Sequence, residues 1–471
     1  MKKVFTTTMP EKTGAFLKAA QILKRLEINI SRVSYNKVID STMLFIEASG
    51  EEENLKKAEE AFKNMGYVKD GLQGKSVELF EFKLSDKPGA LLPVLFIIKE
   101  FDFNISYINS YSDGLGFQNI KLGLLIPHKE KTDEFLKRVN DICPVKVLDY
   151  KKYEKSLDNT VFYVSFVNEL SLKNHFSAEE KQALLINSNL IMQLLEKKDA
   201  SPWQVFSCIG KFSELLNKYK GNSYIPEITE YKEHFLTVIE PPCGSNICVF
   251  DCEDMLLFID SGFNCYKTEL FDLLKEKIPH FNEKKREILI THSDVDHIGF
   301  LDEFSRVYLS ESTAINLINV CNGKKGYREE IPSHEPYVRI SKLLSGFEYP
   351  ECNNFHIIGS KMDDKLLSFI GKVDFKNLSF EAYEGCGGHV KGETVYIERK
   401  KRIVFTGDLY VNINGCIPAQ SEFNKIAPYL LSSVDSKGDI AYKIRREIKP
   451  LLDKGEWLVI GGHGAPKYWD V

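Results

Sequence analysis

The sequence has no apolar run long enough to span a membrane and no surplus of basic residues. No stretch approaches the ~20 consecutive apolar residues that a membrane-spanning helix needs. The first lysines, Lys2 and Lys3, are not followed by a long apolar segment, so neither a signal peptide nor a membrane anchor is expected. The 62 basic and 67 acidic residues give a formal net charge of −5, which leaves no basic excess for wrapping nucleic acid. We therefore expect a cytoplasmic protein without a membrane or nucleic-acid partner, while a phosphodiester substrate stays open.

The ten cysteines include no Cys-x-x-Cys pair and are scattered along the chain. In a long chain without an export signal, this predicts reduced thiols that are mostly packed in the interior. The composition is otherwise ordinary, with 43% hydrophobic and 27% charged residues, as in soluble globular proteins. At ~150 residues each, a chain of 471 residues predicts about three domains.

Four side chains that can bind a metal crowd together just after an apolar run. The run Ile288-Leu289-Ile290 predicts a buried parallel strand, and His292, Asp294, Asp296 and His297 follow it at once. In open α/β sheets, loops converge and ligands bind at the carboxyl ends of the strands. The spacing therefore predicts a metal site at this strand end, and a chance cluster on a solvated loop is the alternative.

Three further candidates repeat the same pattern downstream, in which an apolar run ends, glycine follows and a ligand-capable residue comes next. His389 closes a glycine-rich run that begins at Gly385, Asp408 follows Gly407, and His463 follows two glycines. Glycine lets the backbone turn tightly and approach a ligand closely. Each residue taken singly has an ordinary explanation, but the repetition favours one common site.

These residues together resemble the metallo-β-lactamase superfamily, whose pattern is His-x-His-x-Asp-His followed by a His, an Asp and a final His. The resemblance covers residues 231–471. Two earlier pieces agree with it, Gly244-Ser245-Asn246 before a strand-like run and the turn Asp260-Ser261-Gly262. The resemblance implies an αββα sandwich with two divalent metal ions, of iron, manganese or zinc, at one sheet edge.

The resemblance also implies which residues would hold the two metals. One metal would be bound by His292, Asp294 and His389. The other would be bound by Asp296, His297 and His463, with Asp408 bridging both.

One position departs from the family pattern, because Asp294 stands where the second His is expected. A carboxylate adds negative charge and a harder oxygen ligand, which favours iron or manganese over zinc. Flavodiiron and related oxygen-binding di-iron proteins carry a Glu at this position. The nuclease-like domain of bacterial DNA-uptake channel proteins resembles His-x-Asp-x-Asp-His-Ile-Gly, which is closer to this chain.

The expected reaction is hydrolysis of an ester, phosphodiester, lactone or thioester in a small-molecule substrate. Two bound metals lower the pKa of a water and polarise the substrate oxygen. Asp408 would hold the metals together and Asp296 would help to orient the water, so both are predicted catalytic residues. The alternative is an oxygen-binding or oxygen-sensing di-iron protein, which would use the same ligands.

The first 150 residues contain an internal repeat at an offset of 75 positions, seen in Gly14 and Gly89 and in Asn29 and Asn104. Each copy predicts strand, helix, strand, strand, helix, strand, which is a ferredoxin-like α/β sandwich. The turn around the glycine and the following Asn-Ile-Ser resemble the ACT domain, a regulatory fold that often binds amino acids. The resemblance implies an amino-acid effector near these four residues and a homo-oligomer formed through the paired domains. A purely structural pair is the alternative.

The predicted organisation has four parts: ACT-like domains at 1–75 and 76–152, a helical connecting segment at 153–230 and the metal domain at 231–471. In the helical segment, Ser177 and Glu180 predict a capping box, and a second helix is expected from Trp203 to Tyr219. Within the metal domain, a basic loop ending at Arg328 either contacts an anionic substrate or is simply solvated.

Overall fold

The described strands of the chain form three β-sheets, which are accompanied by helices. The computed structural model describes residues 2–8, 14–36, 43–65, 77–112, 116–126, 131–148, 166–198, 202–427 and 434–471. The chain divides into two units, Met1–Pro202 and Trp203–Val471. The boundary falls inside the predicted connecting segment 153–230, and the finer four-part division stays a prediction. In the described residues no helix has both the length and the apolar character needed to cross a membrane.

The N-terminal unit is built on one seven-stranded sheet with the order β1-β3-β2-β5-β6-β4-β7. Its strands are β1 (Lys2–Thr8), β2 (Asn29–Asn36), β3 (Met43–Ser49), β4 (Val77–Ser85), β5 (Asn104–Ser112), β6 (Phe117–Leu125) and β7 (Val145–Leu148). Its helices are α1 (Ala15–Arg25), α2 (Glu52–Asn64), α3 (Leu92–Glu100), α4 (Thr132–Asn140) and α5 (Ala178–Lys197).

The two halves of this sheet join through the antiparallel pair β2 and β5, where Tyr35 lies opposite Ile108. The second half follows the order strand, helix, strand, strand, helix, strand. In the first half, the last predicted strand follows α2 and falls outside the described residues. The assignment of these halves to the ACT family stays a prediction.

Two sheets form the C-terminal unit. The first has the order β14-β13-β12-β11-β10-β9-β8, and its strands β11 to β14 run parallel. Its strands are β8 (Glu227–Tyr231), β9 (Leu236–Glu240), β10 (Ile247–Cys252), β11 (Met255–Ile259), β12 (Lys285–Leu289), β13 (Arg306–Leu309) and β14 (Phe355–Ile357).

The second sheet has the order β15-β16-β17-β18-β19-β20 and is antiparallel except between β18 and β19. Its strands are β15 (Leu367–Phe375), β16 (Leu378–Gly385), β17 (Thr394–Glu398), β18 (Ile403–Phe405), β19 (Glu456–Ile460) and β20 (Lys467–Asp470). The helices of this unit are α6 (Pro202–Lys218), α7 (Lys267–Lys277), α8 (Glu311–Cys321), α9 (Glu335–Leu344), α10 (Pro418–Asn424) and α11 (Gly438–Ile448).

The two sheets pack face to face between two layers of helix. Phe250 of the first sheet contacts Phe380 and Phe405 of the second, with ring centroids 5.7 and 5.9 Å apart. On the outer faces, Leu270 of α7 packs on the first sheet and Ile444 of α11 on the second. The layers are therefore helix, sheet, sheet and helix, the αββα order that the resemblance implied.

The last two residues of strand β12 are apolar on both faces because both faces are covered there. Ile288 packs toward the outer helices, whereas Leu289 packs into the core between the sheets. A strand buried on both faces has a continuous apolar sequence rather than an alternating one. The apolar run before the predicted metal ligands is explained by this double burial.

Candidate metal centre

The loop that follows β12 carries four of the predicted ligands. It turns back on itself at Asp294, whose carbonyl accepts a hydrogen bond from the N–H of His297 at 2.9 Å. The side chains of His292 and His297 are buried, while Asp294 and Asp296 are half-buried. The parallel strand thus ends in a tight turn that presents two imidazoles and two carboxylates on one side.

The other three predicted ligands come from the second sheet. His389 lies in the loop between β16 and β17, Asp408 in the turn after β18, and His463 just after β19. A Cβ atom at Gly462 would collide with the carboxylate of Asp408. Only glycine therefore lets these two loops approach so closely.

The structure brings all seven predicted ligands into one cluster. The distances from imidazole nitrogen to carboxylate oxygen are 3.4 Å for His292–Asp294, 3.2 Å for His389–Asp294, 3.6 Å for His389–Asp408, 3.4 Å for His297–Asp408, 3.5 Å for His463–Asp408, 3.5 Å for His463–Asp296 and 4.0 Å for His297–Asp296. Two sets of three have their ligand atoms within 4.8 Å of one another, namely His292, His389 and Asp408, and Asp296, His297 and His463.

Two histidines of the cluster, His297 and His389, are each oriented by a neighbouring carboxylate. His297 Nδ1 lies 2.7 Å from Asp260 Oδ2, and His389 Nδ1 lies 3.0 Å from Asp435 Oδ1. Because a carboxylate can only accept, each of these Nδ1 atoms carries the hydrogen and Nε2 points into the cluster. Histidines that bind metals are typically held by such a partner on the other ring nitrogen.

The atoms that face the cluster include several without hydrogen-bond partners. Among the described residues, His292 Nε2, His297 Nε2 and Asp408 Oδ1 are buried and make no hydrogen bond. Buried polar atoms are nearly always bonded, so such atoms within one cluster of ligand-capable side chains fit the binding of cations. Imidazole and carboxylate donors suit zinc, iron and manganese, so the residues fit divalent metal ions.

Asp260 sits at the end of β11 in an unusual backbone conformation, with φ of 57°. Its Oδ1 accepts the backbone N–H of Thr291 at 2.9 Å, and its Oδ2 accepts the Thr291 hydroxyl at 2.7 Å. The same Oδ2 also receives His297. A left-handed non-glycine residue is uncommon, and here it turns one carboxylate onto both the loop backbone and a ligand.

Two buried polar side chains fix the loops of the second sheet. Glu393 accepts the backbone N–H groups of residues 387–390 at 2.7–3.1 Å, which shapes the turn that holds His389. Asn246 Nδ2 donates to the carbonyls of Gly461 and Gly464 at 3.0 and 2.7 Å, on either side of His463. The ligand loops are therefore held from outside the cluster.

The imidazoles and carboxylates within the cluster stabilise each other's charged forms. Burial disfavours the charged form of His297, but the surrounding carboxylates, Asp260 foremost, raise its pKa well above the usual value. Burial would also raise the pKa of Asp408, but His463 and His297 hold it well below the usual value. The Asp408 carboxylate is thus ionised at neutral pH and attracts cations.

The guanidinium of Arg328 adds a positive charge at this site. Its Nε and Nη2 donate to Asp294 Oδ1 and Oδ2, each at 2.6 Å, in a bidentate pair. Burial would raise the pKa of Asp294, but Arg328 keeps it well below the usual value. Nη2 also lies 3.0 Å from His389 Nε2, and Nη1 donates to the Val434 carbonyl at 3.0 Å.

A largely apolar cavity of about 360 Å³ opens onto the cluster. Asp294, Asp296, Asp408 and His463 line one end of it, beside Arg328. Apolar side chains line the remainder, among them Phe212, Phe263, Ile298, Leu317, Val320, Val338, Phe347, Val411, Ile413 and Phe423. This volume is within the range of sites for small molecules.

The predicted effector residues lie in the N-terminal unit and pair across its two halves. Gly14 and Asn104 line one small cavity, and Gly89 and Asn29 line another. The cavities measure about 20 and 30 Å³, which is enough for a single water rather than an amino acid. Both glycines have positive φ, as their turns require.

The sequence does not indicate the roles of two residues of the site. The pattern places Arg328 in a loop that either contacts substrate or is solvated, and it carries no signal for the pairing with Asp294. Asp435, which orients His389 and is itself held by Arg445 at 2.8 and 2.9 Å, was not singled out. Neither residue follows an apolar strand and a glycine, so the pattern that found the ligands carries no signal for them.

Comparison with known proteins gives similarity to solved structures only, since no family model and no curated protein matches the chain. The metallo-β-lactamase from Pontibacter korlensis is 16% identical over 52% of this chain and 94% of its own, with a TM-score of 0.31. The metallo-β-lactamase from Hirschia baltica is 12% identical over 51% and 91%, with a TM-score of 0.30. The HARLDQ motif mutant of the Cronobacter sakazakii enzyme is 12% identical over 50% and 80%, with a TM-score of 0.31. Similarity at this level carries no argument, so the description of the fold rests on its layers and strand order.

Proposed function

We propose that the C-terminal unit is a metal-dependent hydrolase for small ester-type substrates with an apolar body. The observation that carries the proposal is the cluster itself. Seven imidazoles and carboxylates from both sheets meet with gaps of 3.2–4.0 Å, and several of their inward-facing atoms have no other partner. The cluster forms one end of the apolar cavity, so a substrate bound there would lie against it.

Each of the site residues would have a separate role, which follows from its position. Divalent metals, when bound, would supply an activated water and polarise the oxygen of the substrate. Asp408 lies between the two sets of ligands, and its negative charge would stabilise a metal in either set. Asp296, at the cavity wall, would accept a proton from the attacking water. Asp260 and Asp435 keep His297 and His389 in the tautomer that a metal requires.

The cavity favours an ester, thioester or lactone over a phosphodiester. Three aromatic rings, Phe212, Phe263 and Phe423, contact each other with centroids 5.6–6.1 Å apart along its wall. Apolar surface of this kind stabilises alkyl or aryl groups by roughly 25 cal/mol per Å² buried. A phosphodiester with two polar substituents would leave that surface without a partner.

The test uses the full-length chain purified without added metal. We expect hydrolysis of p-nitrophenyl octanoate to exceed that of p-nitrophenyl acetate, because only the octanoyl chain can cover the apolar wall of the cavity. Chelation should abolish the activity, and one of zinc, manganese or iron should restore it. The variant Asp408→Ala should be inactive, whereas Asp272→Ala, which changes an exposed acid on α7, should match the parent. Hydrolysis that survives complete metal removal would overturn the proposal.

The oxygen-binding di-iron alternative rested on Asp294 acting as a metal ligand. Both Asp294 oxygens accept hydrogen bonds from Arg328, so this support, and the preference for iron or manganese derived from it, is weakened. Two irons per chain with an oxo-type absorption band in air would favour the alternative. Metal analysis and a spectrum of the purified protein decide between the two.

Regulation through the N-terminal unit is a separate proposal. It is supported by the pairing of Gly14 with Asn104 and of Gly89 with Asn29 across the halves. An amino acid bound there would have to open these small cavities and distinguish two states of the enzyme. A thermal-shift screen of the common amino acids tests effector binding, and light scattering tests whether the chain is the predicted homo-oligomer. No shift with any amino acid would leave the paired halves a structural role only.

A further inference from the structure

Arg328 blocks the ligands that were expected to hold one of the two metals. A metal in that position would be bound by His292, Asp294 and His389. Arg328 engages two of these three, with both oxygens of Asp294 at 2.6 Å and His389 Nε2 at 3.0 Å. Its side chain is only 6% exposed, so water does not compete for these contacts.

The contact with His389 excludes a metal bond at the same atom. His389 Nδ1 is held by Asp435, so Nε2 is the ring atom that would face a metal. That atom already has Arg328 Nη2 at 3.0 Å and Asp294 Oδ2 at 3.2 Å. A metal bound to Nε2 would lie about 2.0 to 2.1 Å from it, close to the guanidinium, and the two cations would repel each other.

The second set of ligands is free of this obstruction. Asp296, His297 and His463 form a set whose ligand atoms lie within 4.8 Å of one another, and no guanidinium in the described part of the chain is hydrogen-bonded to them. Asp408 Oδ1 lies 3.4 Å from His297 and 3.5 Å from His463 and can complete the set. These four donors are sufficient to hold one divalent ion, and a reacting water would enter as a further ligand.

The loop that carries Arg328 is held in place independently of Asp294. Asn316 Oδ1 accepts the backbone N–H of Tyr327 at 2.7 Å, and its Nδ2 donates to Ser293 Oγ at 2.6 Å. Asn316 therefore ties the arginine loop directly to the loop of the ligands. Glu329 closes the same turn by accepting the backbone N–H of Gly326 at 2.9 Å.

We infer that Arg328 takes the place of one metal, so that the chain binds a single metal ion through Asp296, His297, His463 and Asp408. The guanidinium supplies the second positive charge of the site. Its contacts account for four of its five N–H groups, and no described residue accepts a hydrogen bond from the fifth, on Nη1. Because Arg328 lines the cavity, this donor is available to an oxygen of the substrate that becomes negative during hydrolysis. The inference rests on the proposed metal centre but not on the identity of the reaction.

Metal stoichiometry tests the inference without reference to activity. The full-length chain is stripped with a chelator, loaded with excess zinc, desalted and measured for metal and protein. A cobalt titration followed by visible absorption gives the same count by another route. We expect one metal per parent chain. Arg328→Met, which keeps the apolar stem, should gain a second metal, since His389 Nε2 and Asp294 are released.

Two further variants keep the result interpretable. Arg306→Met removes a half-exposed arginine of β13 and should retain one metal. Asp294→Asn keeps the size of the side chain and should also retain one metal, whereas a true ligand would lose affinity. The second variant still gives an answer if Arg328→Met does not fold. Two tightly bound metals in the parent chain, or loss of metal in Asp294→Asn, would overturn the inference. Either result would leave the hydrolase proposal standing.

Discussion

Single carboxylates outside the ligand set determine how well the ligands are arranged. Asp260 contacts Thr291 and His297 at 2.7 Å, and Asp435 contacts His389 at 3.0 Å. Each carboxylate fixes a tautomer and a ring orientation that sequence patterns do not specify. The ligands themselves followed recognisable runs, but their supports depend on a backbone angle at Asp260 and on a distant residue at Asp435.

Asp260→Asn should weaken metal binding by roughly 10- to 100-fold, as loss of such a partner does in other metal sites. Asparagine tolerates the left-handed conformation and can still accept from the Thr291 backbone, but its amide cannot accept strongly from His297. A chelator competition measures the change in affinity. Asp272→Asn on the exposed face of α7 serves as the control. Equal affinity in both variants would show that Asp260 does not position the ligand.

Glu240 gives the C-terminal unit a pH dependence of stability. Its side chain is 3% exposed at the end of β9, and burial, assisted by Glu227, raises its pKa to about 7. The folded state thus binds the proton more tightly than the unfolded state does. The contribution of Glu240 to stability is complete below its unfolded pKa and is lost as pH rises to about 7, a change on the order of 3 kcal/mol.

Glu240→Gln should remove this loss. Parent and variant should be similarly stable near pH 4.5, and the variant should become the more stable above pH 7. All three tryptophans, Trp203, Trp457 and Trp469, belong to the C-terminal unit, so their fluorescence follows its unfolding in denaturant. The metal-free protein is used so that metal loss in acid does not interfere. A parallel pH dependence in the two proteins would contradict the assignment.

At the scale of elements, the sequence predicted where strands end better than it predicted what surrounds them. The run before His292 is a parallel strand, and the capping box is present, with Ser177 and Glu180 exchanging hydrogen bonds of 2.8 and 3.2 Å. The second predicted helix runs from Pro202 to Lys218, one residue earlier than expected at each end. These features depend on local periodicity and capping, which a sequence displays directly.

The features that were not predicted are long-range. Arg328 reaches Asp294 from a loop 34 residues away in sequence, and Phe212 meets Phe423 from helices far apart in the chain. Such pairs depend on how layers pack, and no spacing rule within one segment specifies them. The apolar cavity is formed in the same way, from helices and loops that are each unremarkable alone.

The aromatic wall of the cavity should set the preference for substrate chain length. Phe423 of α10 contacts Phe212 and Phe263 and is buried. In Phe423→Ala, kcat/KM for p-nitrophenyl octanoate should fall about tenfold relative to the acetate, because contacts worth ~1–3 kcal/mol are lost. Phe369→Ala, which alters a half-exposed ring on β15, should leave the ratio unchanged. An equal loss with both esters would mean that the ring does not contact the acyl chain.

At the scale of the whole molecule, the chain consists of two units with separate cores. The N-terminal core gathers both halves of one sheet, including Phe80 and Leu44. The C-terminal cores lie between and outside two other sheets, and every predicted metal ligand lies in the C-terminal unit. The sequence indicated this division through the repeat and the metal pattern, but it could not place the boundary between Pro202 and Trp203 because helices continue on both sides.

Replacing one ligand should therefore affect one unit. Asp408→Ala removes the carboxylate that lies 3.4–3.6 Å from His297, His463 and His389, so metal content should fall to near zero. Because metal stabilises only the folded site, hydrogen exchange should accelerate in peptides from the ligand loops. Peptides from β4 to β6 should keep their protection, since their core contains none of these residues. Asp272→Ala is the control in the same measurement. Full metal content in Asp408→Ala would refute the ligand assignment, and exposure of the N-terminal sheet would refute the independence of the two cores.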